Sequence, residues 1–338
     1  MKMINAIIAS CVVSGVATAQ DMDTLSRVQL DAATRASLYS EWISTNVGGF
    51  IQTGWQYSNG GDLPAENGFF VQNARLELSG DMSDESMSYQ IAGEWSDSSG
   101  DFNLIDANIT LRMFDFANVR VGRFVSNFYE GFIDNPTEFT TKNYSVSALT
   151  FGQGRGDGIE LFRSFGDIEV SAFYNNGFNN LAGIGSNNYA IGASGRYYFG
   201  SGFSVGGGFA SNSVGPETVN SITASGSFLN GPWDAAVNFI VNDQGEDYDN
   251  WSVVSTLGYQ CTDNLQGFAQ WEYGDYGGDL NLITVGGNYD LGYNLVWTNS
   301  VGYALEGIGS NFVTDNTGWR NSNDSGQWLI RSVITFSF

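Results

Sequence analysis

The last twelve residues of the chain alternate between apolar and polar positions. In steps of two, one face carries Trp328, Ile330, Ile334, Phe336 and Phe338, and the other face is mixed and includes Arg331. A period of two over this length predicts a β-strand. A soluble sheet that ended on such a strand would expose an apolar edge, whereas a closed barrel in lipid has no edge. The pattern therefore raises the hypothesis of a transmembrane β-barrel.

The same alternation, interrupted by Gly, Pro, Asn and Asp, recurs from Asn46 to the end of the chain. It predicts sixteen strands, an even number, as in single-chain bacterial barrels. The predicted strands are 46–57, 69–80, 87–96, 104–114, 117–124, 157–163, 167–175, 188–199, 203–212, 221–229, 233–242, 250–260, 264–273, 281–290, 294–304 and 327–338.

The connections between these strands alternate in length. Tight turns such as 115–116, 200–202 and 230–232 alternate with longer segments, which are 58–68, 125–156, 176–187, 243–249 and 305–326. Short turns on one side and long loops on the other are typical of outer-membrane barrels. The predicted fold is therefore all-β, a transmembrane antiparallel up-and-down barrel of about sixteen strands.

The first 45 residues differ from the rest of the chain. Residues 1–19 have a Lys near the start, an apolar run and a small-x-small ending, which predicts a signal peptide cleaved before Gln20. Residues 20–45 have apolar residues at three- and four-residue spacing, which predicts a short periplasmic amphipathic helix or a plain leader. Residues 46–338 form the predicted barrel.

Composition narrows the function. Charged residues make up 14% of the chain, well below the roughly 25% of soluble domains. The formal net charge of −23 argues against nucleic acid as a partner. The chain has no His, which excludes Ser-His-Asp catalysis and His-based zinc sites. We expect no enzyme and no cofactor; loosely bound Ca²⁺ or Mg²⁺ at the acidic loops is the alternative to plain solvated charge.

Strand parity predicts which charged residues face the lumen. The predicted pore-lining basic residues are Arg75, Arg112, Arg120, Arg196 and Arg331. The predicted acidic ones are Glu77, Glu94, Asp106, Glu160, Glu169, Asp234 and Glu272. The segment from Val125 to Gly156 is too aromatic for a loop in water, so we expect it to fold inward and constrict the lumen. Its charged residues are Glu130, Asp134, Glu138, Lys142 and Arg155.

Two arrangements of the arginines are open from sequence. Arg75, Arg112, Arg120 and Arg331 could form one basic wall facing an acidic loop, which would set up a transverse field. Alternatively each arginine pairs locally, Arg75 beside Glu77 and Arg112 opposite Asp106 or Glu94. Parity alone does not decide between them, because it gives no height along the barrel.

Three stretches carry a family resemblance. Phe69-Phe-Val-Gln-Asn-Ala-Arg-Leu-Glu-Leu-Ser-Gly80, Asp106-Ala-Asn-Ile109 and Val119-Arg-Val-Gly-Arg-Phe124 resemble the phosphate-selective porin O/P family of Gram-negative outer membranes. The resemblance implies a sixteen-stranded, trimeric, anion-selective channel that passes phosphate. The terminal Phe338 similarly resembles the signal by which the barrel assembly machinery recognises outer-membrane barrels for insertion.

The residues and the resemblance together predict an outer-membrane porin. With five basic and seven acidic lumen positions, we expect passive, weakly selective diffusion of small hydrophilic solutes and ions, with an anion- or phosphate-selective channel as the alternative. A surface structural or adhesive barrel with a plugged lumen is the alternative of another class. The expected partners are outer-membrane lipid, two further copies in a homotrimer, the assembly machinery and the solutes.

Overall fold

A computed structural model of the chain describes residues 43–96, 102–112, 114–132, 136–152, 154–178, 188–214, 217–243 and 249–338. The predicted signal peptide, the predicted helix up to residue 42, and Asp134 lie outside the described residues. Of the predicted N-terminal helix only residues 43–45 are described, and Ile43 forms an antiparallel bridge with Met82.

The described residues form one closed antiparallel barrel, in which each strand pairs with the next and the sixteenth pairs with the first. The predicted fold class is confirmed. The strands are β1 (Asn46–Gly60), β2 (Leu63–Asp81), β3 (Met87–Ser96), β4 (Phe102–Leu111), β5 (Asn118–Val125), β6 (Arg155–Phe165), β7 (Ile168–Asn175), β8 (Tyr189–Phe199), β9 (Phe203–Val214), β10 (Glu217–Asn230), β11 (Trp233–Asp243), β12 (Asp249–Thr262), β13 (Leu265–Asp275), β14 (Asp279–Gly292), β15 (Leu295–Ala304) and β16 (Trp328–Ser337).

The two faces of the strands differ as the alternation predicts. On β16, Trp328 and Phe336 on one face are exposed on the outside of the barrel, whereas Arg331 and Thr335 on the other face are buried. Successive side chains of a strand point to opposite faces, so the apolar set covers the outside and the mixed set faces the lumen. This arrangement suits a barrel whose outer surface contacts hydrocarbon.

Two long connections fold into the lumen. Loop 3 is residues 126–154, between β5 and β6, and loop 8 is residues 305–327, between β15 and β16. Loop 3 contains a 3-10 turn (Pro136–Glu138) and the short helix α1 (Val146–Phe151). No helix within the described ranges is long and apolar enough to cross a membrane. The inward-folded loop after β5 agrees with the sequence prediction.

The connection predicted at 58–68 is wrong in length. β1 and β2 continue as a hairpin in which Ser58 pairs with Glu66, and only residues 61–62 form the turn. Gly60 and Gly61 have φ values of 109° and 64°, which favour glycine and allow the tight reversal. The run of Gly, Asp, Pro and Asn in this segment broke the alternation and therefore resembled a loop.

The chain end completes the seam between β1 and β16. The backbone N–H of Phe338 donates to the carbonyl of Gly49 at 3.0 Å, and the carbonyl of Phe338 accepts from the N–H of Gly49 at 3.1 Å. Both hydrogen bonds extend the pairing of β16 with β1 by one residue. The role of Phe338 as an insertion signal remains a prediction.

Candidate functional site in the barrel lumen

Strand pairing shows where the predicted pore-lining residues lie. Residues directly opposite each other in neighbouring strands lie on the same face, and the buried set marks the lumen side. Arg112 is the exception, because β4 ends at Leu111, three residues before the predicted end, and Arg112 is exposed at the short-turn side. The others lie on inward faces: Arg75, Glu77, Glu94, Asp106, Arg120, Glu160, Glu169, Arg196, Asp234, Glu272 and Arg331.

Two of these arginines pair with carboxylates across neighbouring strands. Arg75 Nη2 lies 2.8 Å from Glu94 Oε2, and the two residues are directly opposite in the β2–β3 register. Arg120 forms an ion pair with Glu160, directly opposite on β6, and the Glu160 side chain is completely buried. The pairing of Arg75 with Glu77 considered from sequence is wrong, because Glu94 is directly opposite Arg75, whereas Glu77 lies two residues along the same strand.

Arg112 also has a different partner from those considered. Its Nη1 lies 2.8 Å from Asp81 Oδ1 at the end of β2, and both side chains are exposed. Asp106 instead pairs with Arg155, the first residue of β6, with Nη2 and Oδ2 3.2 Å apart. Glu94 forms its ion pair with Arg75. The two suggested partners of Arg112 are therefore occupied, and local pairing replaces the basic wall for Arg75, Arg112 and Arg120.

The first part of loop 3 lies flat along the inner faces of β7 to β10. The carbonyl of Asn127 accepts hydrogen bonds from the hydroxyls of Ser171, at 3.0 Å, and Ser194. The carbonyl of Phe128 accepts from Thr223 Oγ1 at 2.6 Å. Wall hydroxyls therefore satisfy the backbone of the loop, which a buried loop requires.

An ion pair also holds the first part of loop 3 against β8. Arg196 of β8 forms an ion pair with Glu130 of loop 3, and its Nε lies 2.5 Å from Glu130 Oε1. Two nitrogens of one guanidinium thus meet two oxygens of one carboxylate, a geometry that adds direction as well as charge. Sequence parity placed Arg196 in the lumen but did not identify Glu130 as its partner.

Glycines on β9 make room for the loop. A Cβ atom at Gly206 would lie 2.5 Å from Glu130 Oε1, and one at Gly208 would lie 2.5 Å from the carbonyl oxygen of Phe128. Two glycines of the 206–208 run therefore allow the close approach of loop 3. Their spacing of two, on the inward face, was the available signal.

The second part of loop 3 crosses to the opposite side of the lumen. Thr140 Oγ1 donates to Asp234 Oδ2 at 2.6 Å, and Asn288 Nδ2 donates to the carbonyl of Thr140 at 2.7 Å. On the far side, Gln52 Nε2 donates to the carbonyl of Lys142 at 3.0 Å. Sequence analysis missed Gln52 and Asn288, because neutral amides in a strand carry no charge signal.

Helix α1 returns the loop to β13. The side chain of Ser145 caps the helix by accepting from the N–H of Ala148 at 2.9 Å, and Glu272 Oε2 accepts from the N–H of Ser147 at 3.1 Å. A carboxylate is favourable at a helix N-terminus, where backbone N–H groups have no partner within the helix. The predicted lumen acid Glu272 therefore binds the loop.

Loops 3 and 8 share an apolar cluster inside the barrel. Phe151 of α1 packs edge-on against Phe312 of loop 8, with ring centres 6.1 Å apart, and Thr150 Oγ1 accepts from the N–H of Val313 at 2.9 Å. Buried strand residues complete this cluster. Phe312 and Trp319 of loop 8 are buried in the lumen.

The remaining charges of loop 3 differ in exposure. Glu138 is exposed. The Lys142 ammonium donates to the carbonyl of Thr137 at 2.8 Å, and burial lowers the pKa of Lys142 while Asp234 and Glu138 act in the opposite direction. The acidic connection at 243–249 lies largely outside the described residues, so divalent-cation binding there stays a prediction. The described residues contain no cluster of three metal-ligating side chains.

Beside loop 3 a cavity of about 520 Å³ remains. It lies between the first part of the loop and the inner faces of β3 to β10, and it is lined by charged side chains and by hydroxyls. The lining includes Asp106, Arg120, Glu130, Arg163, Glu169, Arg196, Ser164, Ser171, Ser194, Thr223 and Ser225. Its size and polarity suit water and small solutes.

One ion pair lies on the outside of the barrel and was missed by sequence analysis. Arg123 of β5 and Asp157 of β6 are directly opposite each other, with Nε and Oδ1 2.7 Å apart. Their parity is that of the exposed Val121 and Ile159 and opposite to that of the inward Arg120 and Glu160. In the sequence, only the alternation of faces along β5 and β6 indicates that Arg123 and Asp157 point outward.

Comparisons with known proteins match this architecture. A sequence model described as Gram-negative porin matches residues 6–306. The fold is similar to an anion-selective porin from Comamonas acidovorans, with 15% identity, a TM-score of 0.66, and coverage of 88% of this chain and 100% of that chain. It is also similar to OmpF of Salmonella typhi in complex with daunomycin, with 14% identity, a TM-score of 0.67, and coverage of 89% and 99%.

A third similar structure is a trimer form of OmpT from Vibrio cholerae. It has 13% identity and a TM-score of 0.63, and the match covers 88% of this chain and 100% of that chain. No curated protein sequence matches the chain. At these identities the solved structures support the fold, and the family match rests on the sequence itself.

Proposed function

The chain belongs to the family of Gram-negative porins, and we propose that the diffusion channel it forms in the outer membrane is weakly selective with a preference for cations. The family and the closed barrel establish a channel in the outer membrane of a Gram-negative bacterium. The selectivity is our proposal, and it rests on how the charges around the 520 Å³ cavity are paired.

The observation that carries the proposal is the neutralisation of the inward-facing arginines along this cavity. Arg120 pairs with Glu160 and Arg196 pairs with Glu130. Asp106 is likewise neutralised by Arg155. Glu169 also lines the cavity, but its carboxylate accepts hydrogen bonds from Tyr198 and Ser164 and forms no ion pair among the described residues. Arg163 also borders the cavity, but it lies on the outward face of β6 opposite Val170, and its guanidinium donates to the carbonyl of Asp115. The residual charge of the inward-facing residues is therefore negative, which favours cations.

Reversal potentials across a KCl gradient test this proposal. In a planar bilayer the wild-type channel should show a potential on the cation side, and Glu169→Gln should move it toward zero because it removes the unpaired charge. Glu85→Gln, in the exposed turn between β2 and β3, is a matched control and should leave the potential unchanged. An anion-side potential in the wild type would contradict the proposal.

Anion or phosphate selectivity is the alternative. It is supported by the family resemblance in residues 69–124 and by the likeness to a porin described as anion-selective. Selectivity of that kind requires basic groups that are not neutralised along the passage. Among the described residues Arg331 has no carboxylate partner, but it does not line the 520 Å³ cavity. Arg163 borders that cavity without a described ion pair, but from the outward face of β6. Block of the current by added phosphate, with an anion-side potential, would favour this alternative.

We also infer that the channel is a homotrimer whose subunits cover the outer face of β5 and β6. Arg123 and Asp157 form their ion pair on this outer face. An arginine on the lipid side of a barrel costs up to about 2–4 kcal/mol at the bilayer midplane, so a protein surface is the better environment. The similar OmpT structure is described as a trimer form. The inferred subunit contact rests on the Arg123–Asp157 pair of this chain.

Native mass spectrometry in mild detergent tests the trimer. The wild type should appear at three times the mature mass. The Arg123→Ala/Asp157→Ala variant should dissociate more readily, because the pair would no longer meet complementary groups across the interface. Arg112→Gln, on the short-turn side, should keep the wild-type trimer. A stable wild-type monomer would contradict the inference.

A further inference from the structure

Arg331 of β16 is a buried residue, with 6% of its surface exposed. Its Nη1 donates to the carbonyl of Thr317 at 3.0 Å, its Nη2 donates to Gln72 Oε1 at 2.7 Å, and its guanidinium lies 5.0 Å from the centre of the Phe70 ring. Among the residues that the structure describes, its Nε has no hydrogen-bond partner and no carboxylate forms an ion pair with it.

This environment orients the guanidinium but does not neutralise it. Carbonyl and amide oxygens accept hydrogen bonds, and an aromatic ring attracts a cation, yet neither carries a full negative charge. A buried charge is costly unless it is paired. The contrast with Arg120, Arg155 and Arg196 is direct, since each of those lumen arginines meets a carboxylate.

The neighbouring residues on β2 explain why no side chain there neutralises the Arg331 guanidinium. A β-bulge places Gln72 as an extra residue between Val71 and Asn73, so both Gln72 and Asn73 are buried on the lumen side. Gln72 therefore reaches Arg331 on one side and, through its Nε2, Asn143 of loop 3 at 2.5 Å on the other. β2 thus offers a neutral amide to the guanidinium.

Next to Arg331 the structure contains a second cavity, of about 40 Å³. It is enclosed by loop 3, loop 8 and the inner faces of β13 to β16 and β2. The basic residues of its lining are Arg331 and Lys142, and the acidic residue is Glu272, whose carboxylate already accepts from the N–H of Ser147. Ser300 also lines it and lies directly opposite Arg331 in the β15–β16 register. The lining therefore combines excess positive charge with hydroxyl donors.

We propose that this cavity binds a small inorganic anion of the size of chloride, as the counter-ion of Arg331. The volume suits a halide, since one water molecule occupies about 30 Å³ of the liquid. Water would satisfy the free donor but would leave the charge of Arg331 unpaired. The bound anion joins β16, β2, loop 3 and loop 8 at one point. Loop 3 separates this site from the 520 Å³ cavity, so the proposal is independent of the selectivity proposed above.

Bromide replacement in crystals gives the direct test. Wild-type crystals grown or soaked in sodium bromide should show an anomalous peak within hydrogen-bond distance of the Arg331 guanidinium. Arg331→Met removes the charge and keeps much of the length, and its crystals should lack the peak. Arg112→Gln is the matched control and should keep it, because it loses an exposed arginine elsewhere. No peak in the wild type, or a peak that survives Arg331→Met, would overturn the proposal.

Thermal unfolding provides a second test that does not require Arg331→Met to fold. At equal sodium concentration, the wild type should melt about 2–4 °C higher in chloride than in gluconate, an anion too large for the cavity. Arg112→Gln should show the same difference, and Arg331→Met, where it folds, should show none. Equal melting temperatures of the wild type in the two salts would overturn the proposal.

Discussion

The inward faces of β2–β8 and of β9–β15 use charge in different ways. On the first wall, arginines and carboxylates alternate and pair, either with each other, as Arg75 with Glu94, or with loop 3, as Arg196 with Glu130. The sequence from residue 197 to residue 319 contains neither Lys nor Arg. The acids that β9–β15 direct into the lumen at Asp234 and Glu272 both accept hydrogen bonds from loop 3.

This difference in charge between the two walls explains which side of the lumen contains the 520 Å³ cavity. Arg120, Glu169 and Arg196 of the charged wall line the 520 Å³ cavity together with Glu130 of loop 3. The wall of β9–β15 instead presents small and apolar residues, among them Gly208, Ile240 and Leu282, against which loops 3 and 8 pack. A loop can bury its backbone against the wall only where wall groups hydrogen-bond to its N–H and C=O groups. An unpaired basic side chain between the loop and the wall would be costly to bury. Charge placement on the walls thus decides which side of the lumen remains open.

Breaking one pair on the charged wall should have the largest effect. Arg120→Gln leaves Glu160 buried without a counter-charge, so the free energy of unfolding should fall by about 3–5 kcal/mol. Urea unfolding in lipid vesicles measures this loss. The double variant Arg120→Gln/Glu160→Gln should recover most of it, because both charges are then absent.

The exposed pair of Arg112 with Asp81 is the matched control for this experiment. Both side chains are more than one-third exposed, so Arg112→Gln should cost only about 0.5 kcal/mol. Equal losses for Arg112→Gln and Arg120→Gln would show that burial does not determine the strength of these pairs.

A smaller effect should follow from disturbing the wall of β9–β15. Gly208→Ala places a methyl group against the carbonyl oxygen of Phe128 and should displace the first part of loop 3. We expect a loss of about 1–3 kcal/mol in the free energy of unfolding and an altered single-channel conductance.

Gly226→Ala on β10 provides the control for the glycine substitution. Its added Cβ would meet only the carbonyl of Ser204 at 3.8 Å, so both stability and conductance should stay close to the wild type. An unchanged channel in Gly208→Ala would mean that loop 3 does not need the glycine at this position.

The smallest effect should come from one anchor of loop 3. Thr140→Val keeps the shape of the side chain but removes the hydroxyl that donates to Asp234. The expected loss is about 1 kcal/mol, with more frequent current fluctuations as the loop becomes more mobile. Thr218→Val, whose hydroxyl makes only an exposed 3.4 Å contact with Ser213, should leave the current trace unchanged. Identical traces for both variants would argue against Asp234 as an anchor.

Much of the fold could be predicted because the signal is local. Alternation with a period of two assigns each residue to one face of its strand, and this placed Arg120, Glu160 and Glu272 on the lumen side. Partners could not be predicted in the same way. Arg75 meets Glu94 because of the register between β2 and β3, and register depends on turn geometry and on bulges such as that at Gln72.

The sequence by itself determined the barrel, its closure and its apolar exterior, because these follow from repeated short-range patterns along each strand. Only the tertiary structure decided the interior. Loop 3 contacts residues as distant as Gln52 and Asn288, and the buried state of Arg331 depends on β2, β16 and two loops together. Such contacts join residues far apart in the chain, and their formation depends on the shape of the closed lumen, which no local pattern encodes.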